Sequence, residues 1–363
     1  MDYNEVLEIT PFSLDKVAKS KLFNSYLKNL CLMHYEKCEN YKKIVDKLEC
    51  NLIAISHYED LPFLPVRLFK EFDLKSIPKE DIFKMITSSG TSGQAVSKIY
   101  LDKTTAANQQ KTLVKIVSNF TQASRSPMLI IDCPSVIKDR NMFSARGAAI
   151  LGFSIFSADR TYALDDDMNL NLVAIESFLD KYKNQKILLF GFTFVIWQFF
   201  YNKLKEINAK LDLSNAILIH GGGWKKLINE AVSKDEYKQA LNEICKIKSI
   251  HDYYGMVEQT GCIYMECEFS NLHASAFSDI IIRNPKDFSI NKIGEKGIIQ
   301  VCSLLPESYP GHSLLTEDEG VILGEDDCPC GRKGKYFQIL GRIKNAEIRG
   351  CSDTYEKHQL YNR

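Results

Sequence analysis

Ser88-Ser89-Gly90-Thr91-Ser92-Gly93 is the stretch best suited to holding an anion, with hydroxyl side chains and glycines following an apolar run. Glycine lets the backbone turn so that successive N–H groups converge on phosphate oxygens, and the hydroxyls add donors. It is not a G-x-x-x-x-G-K-[ST] loop, because no Gly-Lys pair stands at that spacing. An ordinary Ser/Gly surface loop has the same composition, so the rest of the chain decides. Two further glycine turns follow apolar strand-like runs: His220-Gly221-Gly222-Gly223-Trp224, and Tyr253-Tyr254-Gly255 ahead of Glu258. In open α/β sheets that is the end of the strand where ligands bind. His220 suits either a substrate contact or a hydrogen-bonded core position.

The thiols suggest two chemistries. Cys267, His273, Cys328 and Cys330 supply three thiols and an imidazole, enough to close a tetrahedral structural zinc site. Cys-x-Cys is tighter than the usual Cys-x2-Cys, Cys262 competes as a ligand, and plain reduced cysteines remain the other reading. Cys351 stands apart in a polar tail beside Arg349, where an exposed thiol takes on thiolate character and can attack an activated acyl group.

The elements that must position these groups alternate. Apolar residues recur at helical spacing through 14–48, and Pro62, Pro65 and Pro78 then break the pattern before the hexapeptide. Residues 97–102 read as a strand and 104–120 as a helix capped in the 102–105 region. Continuous apolar runs at 127–131, 186–190 and 216–219 read as buried strands, followed by helix-like stretches at 194–207 and 224–232. Strands alternating with helices imply a largely parallel sheet covered on its faces. Residues 279–283, 297–302 and 320–323 read as strands of a β-rich part.

Composition sets the outer bounds. A chain of 363 residues with 45% hydrophobic content can bury a large core. Basic and acidic residues balance at 46 each, so net charge gives no reason to expect nucleic acid or an anionic membrane as partner. No apolar run is long enough to cross a bilayer, and residues 1–10 lack a signal-peptide pattern, so a cytoplasmic protein with reduced cysteines is expected.

The order S-S-G-T-S-G, H-G-G-G-W, Y-Y-G-M-V-E, T-E-D-E-G, G-R-I-K-N-A-E-I-R-G resembles the adenylate-forming ligases, which make acyl-adenylates from acids and ATP. L-P-F-L-P-V-R-L-F-K before the hexapeptide, S-K-I-Y-L-D after it and a terminal R-G-C are similar to one branch, the LuxE-type acyl-protein synthetases of bacterial fatty-acid reductase systems. The resemblance spans roughly residues 60–352 and implies an α/β body of mixed sheets with flanking helices and a β-rich subdomain. The body would occupy residues 1–340, with a hinge and short tail at 341–363. The chain departs from the resembling ligases after the hinge, where they commonly carry a lid subdomain with a catalytic lysine: a truncated C-terminal lid is expected, with Lys344, Lys357 or a partner subunit replacing that lysine.

By position, the resemblance implies ATP phosphates on Ser88, Ser89, Gly90, Thr91, Ser92 and Gly93. It implies adenosine beside Gly221, Gly222, Gly223, Tyr253, Tyr254 and Gly255, magnesium near Glu258, ribose at Asp318 and a nucleotide contact from Arg342. Glu258 as a solvated loop carboxylate is the plainer reading, and Glu317 replaces the family's usual glycine before Asp318. Cys351 would accept the acyl group from the adenylate and deliver it to an acyl-reductase partner, and a fatty acid is the implied substrate. Similar cysteine pairs in phenylacetate-coenzyme A ligases support the zinc site. An acyl-coenzyme A ligase, a carrier-protein-loading enzyme, or a nucleotide-binding scaffold subunit are the rival functions.

Overall fold

The computed structural model describes residues 2–88, 96–122, 125–137 and 145–343. The expected sites at Ser89, Gly90, Thr91, Ser92, Gly93 and Cys351 lie outside them, as do Lys344, Arg349 and Lys357. The chain divides into two compact units. One comprises the described residues of Met1–Ile86, Ser97–Ala106 and His273–Arg363, the other those of Thr87–Val96 and Ala107–Leu272.

The second unit is built on parallel strands in the spatial order Ser157–Tyr162, Ser126–Ile131, Ile187–Phe192, Ala216–Gly221 and Ser249–Tyr254, continued antiparallel by Tyr264–Glu266. The three central strands are buried at every residue. That is why their sequences run continuously apolar instead of alternating. Ser157–Tyr162 escaped the sequence reading because it is a polar edge strand.

The helical stretch expected at 194–207 forms, with a π-helical middle at Ile196–Tyr201 between Thr193–Val195 and Asn202–Glu206. Phe190 and Phe200 are fully buried. The stretch at 224–232 does not become an α-helix. Lys225–Glu230 is a short 3-10 segment whose backbone leaves helical values at Leu227 (φ −91°, ψ 22°). The α-helix starts later, at Lys234–Cys245, because Ser233 supplies the cap: its Oγ accepts the Glu236 N–H at 3.2 Å.

In the first unit, antiparallel strands run in the order Ser278–Arg283, Lys296–Ser303, Ser313–Glu325 and Lys335–Arg342. Leu64–Pro65, from the proline-broken lead-in, pairs parallel with Ser313–Glu325. The helices Lys16–Lys37 and Glu39–Lys47 occupy the span in which helical spacing was read. Asp15 caps the first, accepting the Ala18 N–H at 2.9 Å, and Asp102 caps Lys103–Thr121 by accepting the Thr105 N–H at 2.6 Å.

A buried charge network joins helix to sheet in this unit. Asp279 is 1% exposed and meets Lys19 at 3.1 Å and Lys335 at 2.8 Å, and the Tyr58 hydroxyl donates to it. Burial alone would raise the Asp279 carboxyl, but the two ammonium groups hold it well below the usual carboxylate range. Removing one partner strands buried charge, which costs more than the pair contributes. Lys335→Met is therefore expected to destabilise the protein by about 3–5 kcal/mol, read as a lower urea midpoint in equilibrium unfolding.

Candidate active site

Parallel strands bring their carboxyl ends to one edge, and the second unit gathers polar groups there. Ala216–Gly221 ends on His220 and Gly221, and Ser249–Tyr254 carries Asp252, Tyr253 and Tyr254 to the same edge. His220 is paired in register with Asp252, and Gly221 with Tyr253. A Cβ on Gly221 would fall 2.7 Å from the Tyr253 ring, so glycine is what lets that ring lie against the strand. Gly222 and Gly223 follow with φ of +81° and +59°, the left-handed turn expected of three glycines, and a Cβ on Gly222 would run into Phe192. Tyr253 is half-buried and rests against Phe153, ring centroids 5.3 Å apart.

His220 is 5% exposed. Thr193 donates its hydroxyl hydrogen to the Gly221 carbonyl at 3.2 Å, so its oxygen accepts from His220 Nδ1–H at 2.9 Å. The ring is thereby fixed with its proton on Nδ1 and a lone pair on Nε2. Burial pushes the imidazole down to about 3, which keeps it neutral. Asp252 lies 3.8 Å from Nδ1, and burial, with the neighbouring Glu266 carboxylate, pushes its carboxyl up to about 7. The contact is therefore not an ion pair at neutral pH.

Glu266 is wholly buried and supports this edge. Lys234 and Lys238 approach it at 2.9 Å and 3.0 Å, and its second oxygen accepts the Asp252 N–H at 3.3 Å. Burial works to raise this carboxyl, and the two lysines overcome it. Sequence reasoning missed both Asp252 and Glu266, since nothing in their neighbours announces burial. The S-x-x-E pattern at Ser233 and Glu236 is the signal that would have placed the helix that supplies the lysines, which the sequence reading put at 224–232.

Glu258 lies in the short turn Val257–Gln259 and is 6% exposed, which removes the reading of a solvated loop carboxylate. Gly255 is exposed beside it, and Tyr254 is half-buried with its ring 6.0 Å from that of Tyr264. Ser88, the one described residue of the hexapeptide, follows the strand Lys84–Thr87 and is half-buried.

Asp318 and Arg342 belong to the first unit, where they sit opposite one another on adjacent antiparallel strands. The Asp318 N–H donates to Thr316 Oγ1 at 3.1 Å, and Arg342 pairs with Glu317 at 3.1 Å. His273, Cys328 and Cys330 come together in the same unit, with Cys330 Sγ 3.4 Å from His273 Nε2. Gly331 turns the Cys-Pro-Cys-Gly segment with φ +79°, and its N–H donates to the Cys328 carbonyl at 2.9 Å. Cys267 and Cys262 belong to the second unit.

The fold is that of the adenylate-forming ligases. An open-conformation structure of 2-hydroxyisobutyryl-CoA ligase, in complex with 2-HIB-AMP and CoA, is similar at TM-score 0.70 and 15% identity, over 92% of this chain and 76% of its own. The chain belongs to the LuxE acyl-protein synthetase family, whose model matches residues 2–359, and it is a ligase. Its relatives include the long-chain-fatty-acid–luciferin-component ligase of Vibrio harveyi, 22% identical over 94% of this chain and 89% of the relative. The protein of the same name from Aliivibrio fischeri is 24% identical over 88% and 84%. Among the described residues no helix is long and apolar enough to cross a membrane.

Two outcomes are expected from this geometry. Gly222→Ala puts a Cβ into Phe192 at a left-handed position, at a cost of about 1–3 kcal/mol, measurable by urea unfolding. The unfolded chain protonates His220 near 6.5, whereas the folded chain refuses the proton until about 3. The stability involved is complete above pH 6.5 and falls as pH drops below it. His220→Asn, which keeps a donor where Nδ1–H was, should flatten the stability–pH curve between pH 6.5 and 4 while leaving the value at pH 8 little changed.

Proposed function

We propose that the protein activates a fatty acid with ATP, forming an acyl-adenylate and pyrophosphate, then transfers the acyl group to Cys351 and on to an acyl-reductase partner. The observation that carries this reading is family membership across nearly the whole chain. The glycine turn at the carboxyl edge of a parallel sheet agrees with it, since such edges bind nucleotides. A carboxylate oxygen of the acid attacks the α-phosphorus and pyrophosphate leaves. The Cys351 thiolate then attacks the acyl carbon and AMP leaves, so the mixed anhydride is exchanged for a thioester.

In this reading the segment from Ser88 to Gly93 cradles the ATP phosphates through backbone N–H groups and hydroxyls. The Gly221, Gly222 and Gly223 turn and the Tyr253, Tyr254 and Gly255 segment border adenosine, while Asp318 takes the ribose hydroxyls and Arg342 contacts the nucleotide. Glu258 is the ligand for magnesium, which offsets triphosphate charge when bound. His220, neutral and fixed in tautomer, contacts the substrate as a hydrogen-bonding group without adding charge. The names of the Vibrio harveyi and Aliivibrio fischeri relatives support a long-chain acid as the substrate class.

Zinc at Cys267, His273, Cys328 and Cys330 belongs to the same proposal. The donor set is right for a structural site, and the thiols are unbridged. Cys267 is favoured over Cys262 because a turn folds it back toward the histidine-bearing strand, its N–H donating to the Asn271 carbonyl at 2.8 Å.

Acid-dependent exchange of labelled pyrophosphate into ATP is expected. ATP binding without exchange would instead indicate a scaffold subunit. With labelled acid and ATP, the label should travel with the wild-type protein through denaturing gels and be absent from Cys351→Ala; label retained on the variant would remove the cysteine carrier. Protein purified without added metal should hold about one equivalent of zinc, and Cys330→Ser should lose most of it.

A further inference from the structure

The parallel strand Ser126–Ile131 also ends at the carboxyl edge, and its next residue, Asp132, is a carboxylate with no solvent exposure. Asp132 Oδ1 accepts the Cys133 N–H at 2.8 Å, and Oδ2 lies 2.9 Å from Nε of Arg146, on the first turn of the helix Ala145–Phe153. A cation in a helix's first turn faces the positive end of the backbone dipole, so the buried carboxylate is what holds it there. The contact is an ion pair on the Nε side of the guanidinium, close in distance without hydrogen-bond alignment. Among the described residues its two Nη groups give no hydrogen bond to the protein, and the side chain is 25% exposed.

Strand register places this fork relative to the glycine turn. Ile131 is paired with Gly191, and Gly191 with His220. Asp132 therefore continues the row of Phe192 and Gly221, two strands away, or about 10 Å at the usual spacing between strands. An acid and a triphosphate are both anions and must be brought together before reaction. A planar fork whose Nη donors are unpaired among the described residues, on the strand edge read as the nucleotide side, offsets their repulsion and orients a carboxylate. We propose that Arg146 is the anchor for the carboxylate of the acid substrate, and that Asp132 is a positioning residue that aims the guanidinium. The proposal rests on the acid-activation reading above and adds to it the residue that recognises the acid.

The test measures binding without ATP, so its outcome is independent of adenylation. Hexadecanoate and hexadecanol are titrated against a fluorescent fatty-acid probe on the full chain, with circular dichroism confirming the fold of each variant. Wild type is expected to prefer the acid, and Arg146→Gln to bind the acid about ten- to a hundredfold more weakly with alcohol affinity unchanged. Arg146→Lys, which keeps the charge but not the fork, should fall between, and it serves as the test if the glutamine variant does not fold. Asp132→Asn should show a smaller loss confined to the acid. Unchanged acid affinity in a folded Arg146 variant, or equal losses for acid and alcohol, would overturn the proposal. Absent pyrophosphate exchange with the acid preference intact would count against the adenylation reading and leave the anchor standing.

Discussion

A carboxylate that meets no water must be paired, and in the second unit the pairing of Glu266 joins the pieces that form the candidate site. Its partners Lys234 and Lys238 lie one turn apart on Lys234–Cys245, so a single helix face is pulled against the sheet. The same side chain takes the Asp252 N–H, and its own backbone carbonyl accepts from His251 Nδ1 at 2.8 Å. The end of the strand Ser249–Tyr254 is thereby fixed beside His220. Exposed ion pairs contribute little, but a fully buried carboxylate with two ammonium partners makes this geometry costly to change.

That anchoring sets the electrostatics of the strand ends. Burial and the ionised Glu266 together push Asp252 up, whereas burial pushes His220 down against the opposing pull of Glu266. The Asp252 shift favours a neutral carboxyl beside the glycine turn, where an ionised one would repel an anionic ligand, and the neutral His220 offers a hydrogen-bonding group without charge. Of the cations, Lys234 and Lys238 are committed to Glu266, whereas Arg146, paired with a second buried carboxylate, gives no Nη hydrogen bond among the described residues.

Much of the second unit was legible because a strand buried on both faces must be written in apolar residues. The segments at 127–131, 186–190 and 216–219 carry that mark. The polar edge strand Ser157–Tyr162 does not, and it was missed. The helix near 224–232 was misplaced for a different reason: Trp224, Leu227, Ile228 and Val232 supply apolar content, but the cap that starts the helix is Ser233. At the site, glycine turns were readable because left-handed backbone and close ring contact both demand glycine. Asp132, Arg146, Asp252 and Glu266 were not. A carboxylate's letter is the same in solvent and in a core, and only the partner brought by another element distinguishes them.

Glu317 shows how a departure from a family pattern becomes intelligible in three dimensions. In T-E-D-E-G it stands where the resembling ligases have glycine, which left the turn before Asp318 uncertain from sequence. The strand bulges at this position, since Gln300 pairs with Leu315 and Ile298 with Glu319, yet both groups of Glu317 are used: its carbonyl accepts the Ile343 N–H at 3.0 Å, and its carboxylate pairs with Arg342. Glycine could supply the first of these bonds and not the second. Arg342 is 75% exposed, so the pair adds at most about 1 kcal/mol of stability. Its consequence is orientation: an arginine directly across from Asp318 is tied to the residue beside it, and the strand reaches Ile343 with that side chain already directed.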